Sequence, residues 1–225
     1  NDAEAAARAD KAALSGKLRI AAPLSFGLTH LKPVISDFIR ANPDLDVEVD
    51  FSDRKVNLVE EGFDVAVRIG VLADSTLIAR KLIAVRSVCA ASPEFWARRG
   101  APQTPEDLEA LDCLRYLNAA RPDVIEYWAP DGERGSISPP VRLFASNGDF
   151  IASMAAEDCG FIVEPYFLLA PYLESGALTE ALANYSWSAM NLFIVTPPSR
   201  RVTARVRAFS DAVAEQFKEH GADVI

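Results

Sequence analysis

The stretch from Leu18 to Asp53 constrains the fold more than any other part of this 225-residue chain. Leu18 to Ala22 is an apolar run of strand length. Pro23, Leu24, Ser25, Phe26 and Gly27 read as a loop, after which Leu28, Leu31, Val34, Ile35, Phe38 and Ile39 recur at helical spacing. Pro33 falls within that run, so either a separate turn precedes it or the helix kinks there. Pro43 cannot continue the helix and biases Asn42 away from the α region. Leu45, Val47, Val49 and Phe51 then alternate with Asp46, Glu48, Asp50 and Ser52, the period of a half-buried strand. Strand, helix, strand is the repeating unit of a parallel sheet. Open α/β sheets hold ligands at the carboxyl ends of their strands, where the loop Pro23 to Gly27 falls.

The same plan returns further along. Val141 to Ala145 reads as a strand and Ser146 to Asp149 as a loop. Phe150, Ile151, Met154 and Ala155 follow at helical spacing, Gly160 breaks the helix, and Phe161 to Val163 is a second strand. Between the two units, Val56 to Glu61 is a short helix candidate, Phe63 to Gly70 a buried strand, and Leu77 to Ala91 two strand pieces. Ser92 is placed to cap a helix with Pro93 at its first position and Gly100 at its end. Thr104 and Asp107 have capping-box spacing. Residues 118–140 read as turns and short strands. Glu164 and Pro165 open a helix that Ser175 and Gly176 end; Asn191 to Val195 is a last strand. Thr203 to Lys218 is a terminal helix with Val206, Phe209, Val213 and Phe217 on one face. Two such units suggest two α/β lobes. A crossing near Val88–Ala91 and a return near Phe193–Thr196 give residues 17–90 plus 194–225 as lobe I and 91–193 as lobe II, hinged, with the two βα loops over a cleft.

Composition narrows the function. Half of the residues are apolar, enough for one large domain or two small lobes. The formal net charge of −9 disfavours nucleic-acid binding by this chain itself. No apolar run is long enough to span a membrane, and no signal-peptide pattern is present. The Ala-rich start, closed by Ser15-Gly16, reads as a helix end, so residues 1–16 are expected to finish a connector from an absent N-terminal domain. The three cysteines, Cys89, Cys113 and Cys159, read as buried reduced thiols of a cytoplasmic protein; a Cys113–Cys159 redox pair would lack CxxC spacing. His30 and His220 are the only histidines, which excludes a His-rich metal site. No phosphate-cradling, dinucleotide or nucleophile-elbow motif occurs, and no cofactor is expected. Ser52 to Lys55 matches S-x-x-K, but at a strand end and without its companion motifs.

The best ligand candidates are Ser25, Phe26 and Gly27, because a helix start leaves N–H groups unpaired and favours an anion. Equally, Ser25 would simply cap the helix. Asn147 and Asp149 are the counterpart in the second unit, and as N-cap types they need no ligand to explain them. Arg68 ends an otherwise apolar strand; it suits an acidic effector or an ordinary surface ion pair. Phe26, Phe144 and Tyr166 either line an apolar pocket or belong to the core.

These segments together — LRIAAPLSFGLTHLKPVISDFIRANPDLDVEVDFSD, FDVAVRIG, VCAASPEFWARRGAPQTPEDL and VRLFASNGDFIASMAAEDCGFIVEPYFLLAPYLESGALTEAL — resemble the effector-binding domain of LysR-type transcriptional regulators. The Val-Ala-Val-Arg-Ile-Gly segment is most similar to the branch called CrgA-like. The likeness runs from about Gly16 to Phe217. It implies the type 2 periplasmic-binding-protein fold, two Rossmann-like lobes joined by two crossing strands. It also implies a winged helix-turn-helix upstream, so that residues 1–16 end the linker helix and DNA is met only through that missing domain. The effector would lie between the lobes. Matched by position, its contacts would be Leu24, Ser25, Phe26, Arg68, Asn147, Asp149, Glu164 and Pro165. One departure is Gly148-Asp149, where related sequences often read Asn-Asp. The resemblance further implies antiparallel dimers, Leu28–Arg40 against Pro165–Glu174. Ile35, Ile39, Phe167, Leu168 and Tyr172 would then form the contact, with Leu28, Leu31 and Phe38 turned to the core, and a tetramer for the full-length protein. The expected function is sensing of a small, acidic metabolite for transcriptional control, without catalysis or membrane contact. The alternative is the solute-binding protein of a transporter.

Overall fold

In the computed structural model, which describes residues 14–54, 56–71, 76–198 and 202–219, the strand–helix–strand unit is present. β1 (Gly16–Ala22) and β2 (Leu45–Phe51) run parallel and in register along their whole length, from Gly16 opposite Leu45 to Ala22 opposite Phe51. α1 (Lys32–Ala41) lies between them in sequence. Asn42 leaves the helix at φ −134° and ψ 73°, as the following proline requires, and its side chain donates to the Phe38 carbonyl at 2.8 Å. Of the expected connector, residues 1–16, the stretch 1–13 lies outside the described residues, and Gly16 already begins β1.

The chain continues through β3 (Val65–Gly70), β4 (Ile78–Val85), β5 (Ser87–Ala91), α2 (Pro93–Arg99), β6 (Cys113–Tyr116), β7 (Ile125–Trp128), β8 (Arg134–Ile137) and β9 (Val141–Ala145). It ends with α3 (Gly148–Ala156), β10 (Ile162–Pro165), α4 (Tyr166–Glu174), β11 (Thr179–Ala181), β12 (Ser186–Trp187), β13 (Met190–Thr196) and α5 (Ala204–Glu219). Two units emerge: one runs up to Ile83 and resumes at Leu192, and the other is Ala84–Asn191. The chain therefore passes from one to the other inside β4 and returns inside β13. β5 pairs antiparallel with β10 and β11, so Val88 to Ala91 belong to the second unit rather than to a boundary.

The first unit is a five-stranded sheet ordered β2-β1-β3-β13-β4. Leu18 and Ile20 of β1 are fully buried, as are Phe26, Leu31, Phe209 and Val213. α5 buries the face read from the sequence: Val206, Phe209, Val213 and Phe217 are each at most 5% exposed. Phe209 meets Phe38 of α1 edge to face, ring centroids 5.5 Å apart. On another cluster, Val56, Leu58 and Phe63 pack with Ala21 and Ala66. The segment that supplies Val56 and Leu58 is a turn, not the expected helix. Asn57 Oδ1 accepts from the Val59 N–H at 3.2 Å, and Glu61 Oε1 accepts from the Asn57 N–H at 2.8 Å. Such local side-chain bonds compete with helical ones. The Arg19 guanidinium of β1 donates to the Glu61 and Gly62 carbonyls at 2.7 and 3.0 Å and holds the turn down.

The second unit joins β10-β5-β11 to the parallel pair β6–β9 through a bridge between Cys113 and Phe161. β5 is buried along its whole length. Cys89 and Ala91 contribute to a cluster with Phe95, Trp96 and Trp187, and Val88 and Ala90 to one with Ile151, Ile162 and Leu169. That division follows the two-residue period of a strand buried on both sides. β7, β8 and β12 form a separate antiparallel sheet within residues 118–190. Both expected caps are found: Ser92 Oγ accepts from the Phe95 N–H at 3.0 Å, and Thr104 with Asp107 forms a capping box, here on a 3-10 turn.

Truncation of the fully buried Phe209 to alanine is expected to destabilise the first unit by about 3–5 kcal/mol. Urea unfolding followed by circular dichroism measures this; a loss below about 1 kcal/mol would show that α5 is not held by this ring.

Candidate functional site

Because β1 runs parallel to both β2 and β3, the carboxyl ends of all three lie at one edge of the first sheet. At that edge the structure departs from the expected loop. Pro23 is extended, and the backbone turns helical at once, at Leu24. Ser25 is therefore inside the helical run and not its cap; it is 8% exposed, and its carbonyl accepts from Thr29 Oγ1 at 2.9 Å. The cap comes from elsewhere. Asp53, just beyond β2, accepts from the Leu24 N–H through Oδ1 at 3.1 Å. The chain thus places its own carboxylate at the helix start where an anion was expected. Asp53 was not singled out in the sequence. The in-register β1–β2 pairing, extended by the Ser52 N–H to Ala22 carbonyl bond of 2.9 Å, is what brings it there.

Phe26 is fully buried and stacks on Phe217 at 5.5 Å and near His30 at 5.2 Å, so it is core and not a pocket wall. Burial also lowers the His30 pKa from its ordinary value. Leu24 stands at the rim, 37% exposed. Between Leu24–Phe26 and α1 lies a π-helical segment, Gly27–Leu31, closed by the Lys32 N–H donating to the Gly27 carbonyl. Pro33 has no N–H to give to the preceding turn, and the wider turn absorbs that loss. The segment rotates Leu28 outward, 58% exposed, against the expectation that it faces the core, while Leu31 is fully buried. Arg68 is half-buried on β3 and donates from Nη2 to the Val56 carbonyl at 2.7 Å. Burial lowers its pKa, yet a guanidinium stays charged and has further donors in its fork.

In the second unit, Asn147 caps α3, its Oδ1 accepting from the Phe150 N–H at 2.9 Å. Asp149 is exposed in the first turn of that helix, where the helix dipole favours a negative charge. Gly148 has a packing reason: a Cβ there would lie 2.5 Å from Leu168 Cδ1. The same contact corrects the expectation for Leu168, which is 8% exposed in the core of its own unit and not turned outward. Ile39 is 44% exposed, and Ile35, Phe167 and Tyr172 are half-buried.

Glu164 and Pro165 end β10, both buried. Pro165 is the extended residue from which α4 starts. Glu164 is 6% exposed, and burial pushes its carboxyl up to about 7 against the pull of Arg115. Arg115, on neighbouring β6 and also 6% exposed, directs its guanidinium elsewhere, to the Pro122 and Val124 carbonyls at 2.8 and 3.0 Å. The sequence offered no sign of Arg115 beyond a charged residue in an apolar strand. Cys89 and Cys113 are fully buried, and burial raises both thiols, Cys113 to about 12. Cys159 is half-buried. Among the described residues no cluster of metal-ligating side chains occurs. Of the S-x-x-K match, Lys55 lies outside the described residues, and Ser52 Oγ accepts from the Arg54 N–H at 3.3 Å.

The Glu164 carboxyl titrates near 7 in the fold against about 4.5 in the unfolded chain. The folded state therefore holds the proton that the unfolded state loses, and stability falls as pH rises between those values, by about 3 kcal/mol in all. Glu164→Gln is expected to flatten the dependence between pH 4.5 and 7 and to unfold at higher denaturant than the parent at pH 8. Urea titrations at four pH values test this, and a parallel pH profile for the two proteins would count against it.

The profile of the LysR substrate binding domain matches residues 11–218. An HTH-type transcriptional regulator of Haemophilus influenzae is 33% identical over 197 residues, 88% of this chain and 68% of that protein. The HTH-type regulator YhjC of Escherichia coli is 30% identical over 213 residues, 94% of this chain and 71% of its own length. Among solved structures, the regulatory domain of CrgA from Neisseria meningitidis aligns with a TM-score of 0.74 at 29% identity, covering 91% of this chain and 100% of that one. Full-length AphB of Vibrio cholerae aligns at 0.74 and 25%, covering 95% of this chain and 73% of that one. The fold is accordingly of the type 2 periplasmic-binding-protein kind, as the order of segments implied. The chain belongs to the LysR substrate-binding-domain family, the effector-binding part of LysR-type transcriptional regulators.

Proposed function

We propose that this chain senses a small organic acid for a DNA-binding regulator and passes the binding event on through oligomer geometry. The observation that carries the acid is Arg68, a half-buried guanidinium near the ligand-facing carboxyl edge of the first sheet. Bidentate carboxylate recognition suits such a group. Leu24 and Ser25 in the first unit, and Asn147, Asp149, Glu164 and Pro165 in the second, are the further contacts in this reading. Phe26 supports them from the core. The chain performs no catalysis. DNA contact belongs to a winged helix-turn-helix outside it. Relatives with helix-turn-helix names, of which this chain spans 68% and 71%, support that division. They also weigh against a transporter's solute-binding protein. Cytoplasmic location agrees with this role; no described helix is long and apolar enough to cross a membrane. In assembly, Ile35 and Ile39 meet Phe167 and Tyr172 of a second copy, and the full-length protein forms tetramers.

A thermal-shift screen of small carboxylates is expected to yield ligands that raise Tm. Saturation at about a hundred times Kd corresponds to about 2.7 kcal/mol. Arg68→Gln should weaken such a ligand about tenfold or more, a loss of about 1.4 kcal/mol. A screen with no shift, or an unchanged affinity in the variant, would remove the acid or Arg68 respectively. Sedimentation at micromolar concentration is expected to show dimers that Ile39→Glu with Tyr172→Glu converts to monomers; a dimer surviving both changes would place the contact elsewhere.

A further inference from the structure

Glu164 is one of the proposed effector contacts, yet a plain carboxylate ligand offers its charge nothing to pair with. It is 6% exposed and sits at the carboxyl end of β10, one residue before Pro165 leads into α4. Arg115 pulls on its carboxyl only through space, its guanidinium being bonded elsewhere. The titratable and charged groups on the elements packed against β10 are few: Arg115, Cys113 and Tyr116 on β6, Cys89 on β5, Asp149 on α3, and Tyr166, Tyr172 and Glu174 on α4. Of these the one cation is Arg115, and it is committed to two backbone carbonyls. Arg86, just before β5, is likewise engaged: it pairs with Glu180 at 2.8 Å and lies over the Tyr166 ring. A second buried polar group lies at the same end of the β5–β10 pair. Ser87, opposite Pro165 in register and 6% exposed, has a hydroxyl with no partner.

Ionising a buried carboxyl is destabilising, and Arg115, held by two backbone carbonyls, does not fully relieve it. At a strand end where this fold class receives ligands, a cation brought by the ligand would do so. We propose that Glu164 is the recognition point for a cationic nitrogen on the effector, so that the ligand is an amine-bearing acid, of the amino-acid class, and not a plain carboxylate. This rests on the effector-sensing reading above and sharpens its ligand class. The arrangement couples binding to a proton. Near and below pH 7 the carboxyl holds a proton that an ammonium group must displace. Affinity then rises about tenfold per pH unit up to that value and levels off above it, and binding at pH 6 to 7 releases a proton to buffer.

The test uses this chain with the twenty proteinogenic amino acids as probes, each beside its des-amino carboxylic acid. Thermal shift at pH 8 selects binders, and calorimetry in two buffers of different ionisation enthalpy counts protons at pH 6.5. The expected result is an amino acid bound at least tenfold more tightly than its des-amino partner, with proton release. Glu164→Gln, folded by circular dichroism, should lose both the preference and the release. Equal binding of the two partners without proton release would overturn the amine assignment while leaving acid sensing standing. Wild-type discrimination in the glutamine variant would equally overturn it. Absence of binding by either set at pH 8 would overturn the amine assignment together with the acid reading.

Discussion

The in-register parallel pairing of β1 with β2 is the constraint on which the first unit depends. It aligns Ala22 with Phe51, so the segments after both strands leave the sheet at one edge. From that alignment follow the Asp53 cap on the Leu24 N–H, the close approach of Phe51 to Gly27, and the edge that β3 and Arg68 share. At Gly27 a Cβ would come within 2.1 Å of the Phe51 ring, so the helical run can lie against the strand end only where the side chain is a hydrogen.

Much of the fold was legible because periodicity reports burial. The alternation of Leu45 to Ser52, the stripe of α5 and the caps at Ser92 and Thr104 are local signals, and local structure obeys them. What stayed hidden depends on residues far apart in sequence. Asp53 becomes a cap through a strand pairing. β5 belongs to the second unit because of partners more than 70 residues later, while its apolar run alone fits either side. Leu28 and Leu168 carry the same apolar label yet end on opposite sides of the burial line, one turned out by a π turn and the other drawn in over a glycine.

The candidate site was legible in part for the same reason. Asn147 is an N-cap by residue type and position, and it is one in the fold. Ser25 had the same credentials and lost the role because helix geometry begins one residue after Pro23. Glu164 was placed by its strand-to-helix junction, but its deep burial and the diversion of Arg115 to the Pro122 and Val124 carbonyls are tertiary facts. Ionisable groups buried this way cost stability, so their presence in a strand otherwise composed for packing marks a position that packing alone does not explain.

The π-helical turn has a consequence for how this segment tolerates changes in length. Phe26, Leu31, Val34 and Phe38 are buried at steps of five, three and four residues, and the step of five is the surplus that Gly27–Leu31 takes up. Removing one residue from that turn would leave an ordinary α-helical spacing with the same side facing inward. Removing one from α1 itself would swing every downstream side chain by about 100° and expose Phe38. A one-residue deletion is thus accommodated in the five residues of the wide turn and not in α1, and the aromatic contact between α1 and α5 is what enforces it.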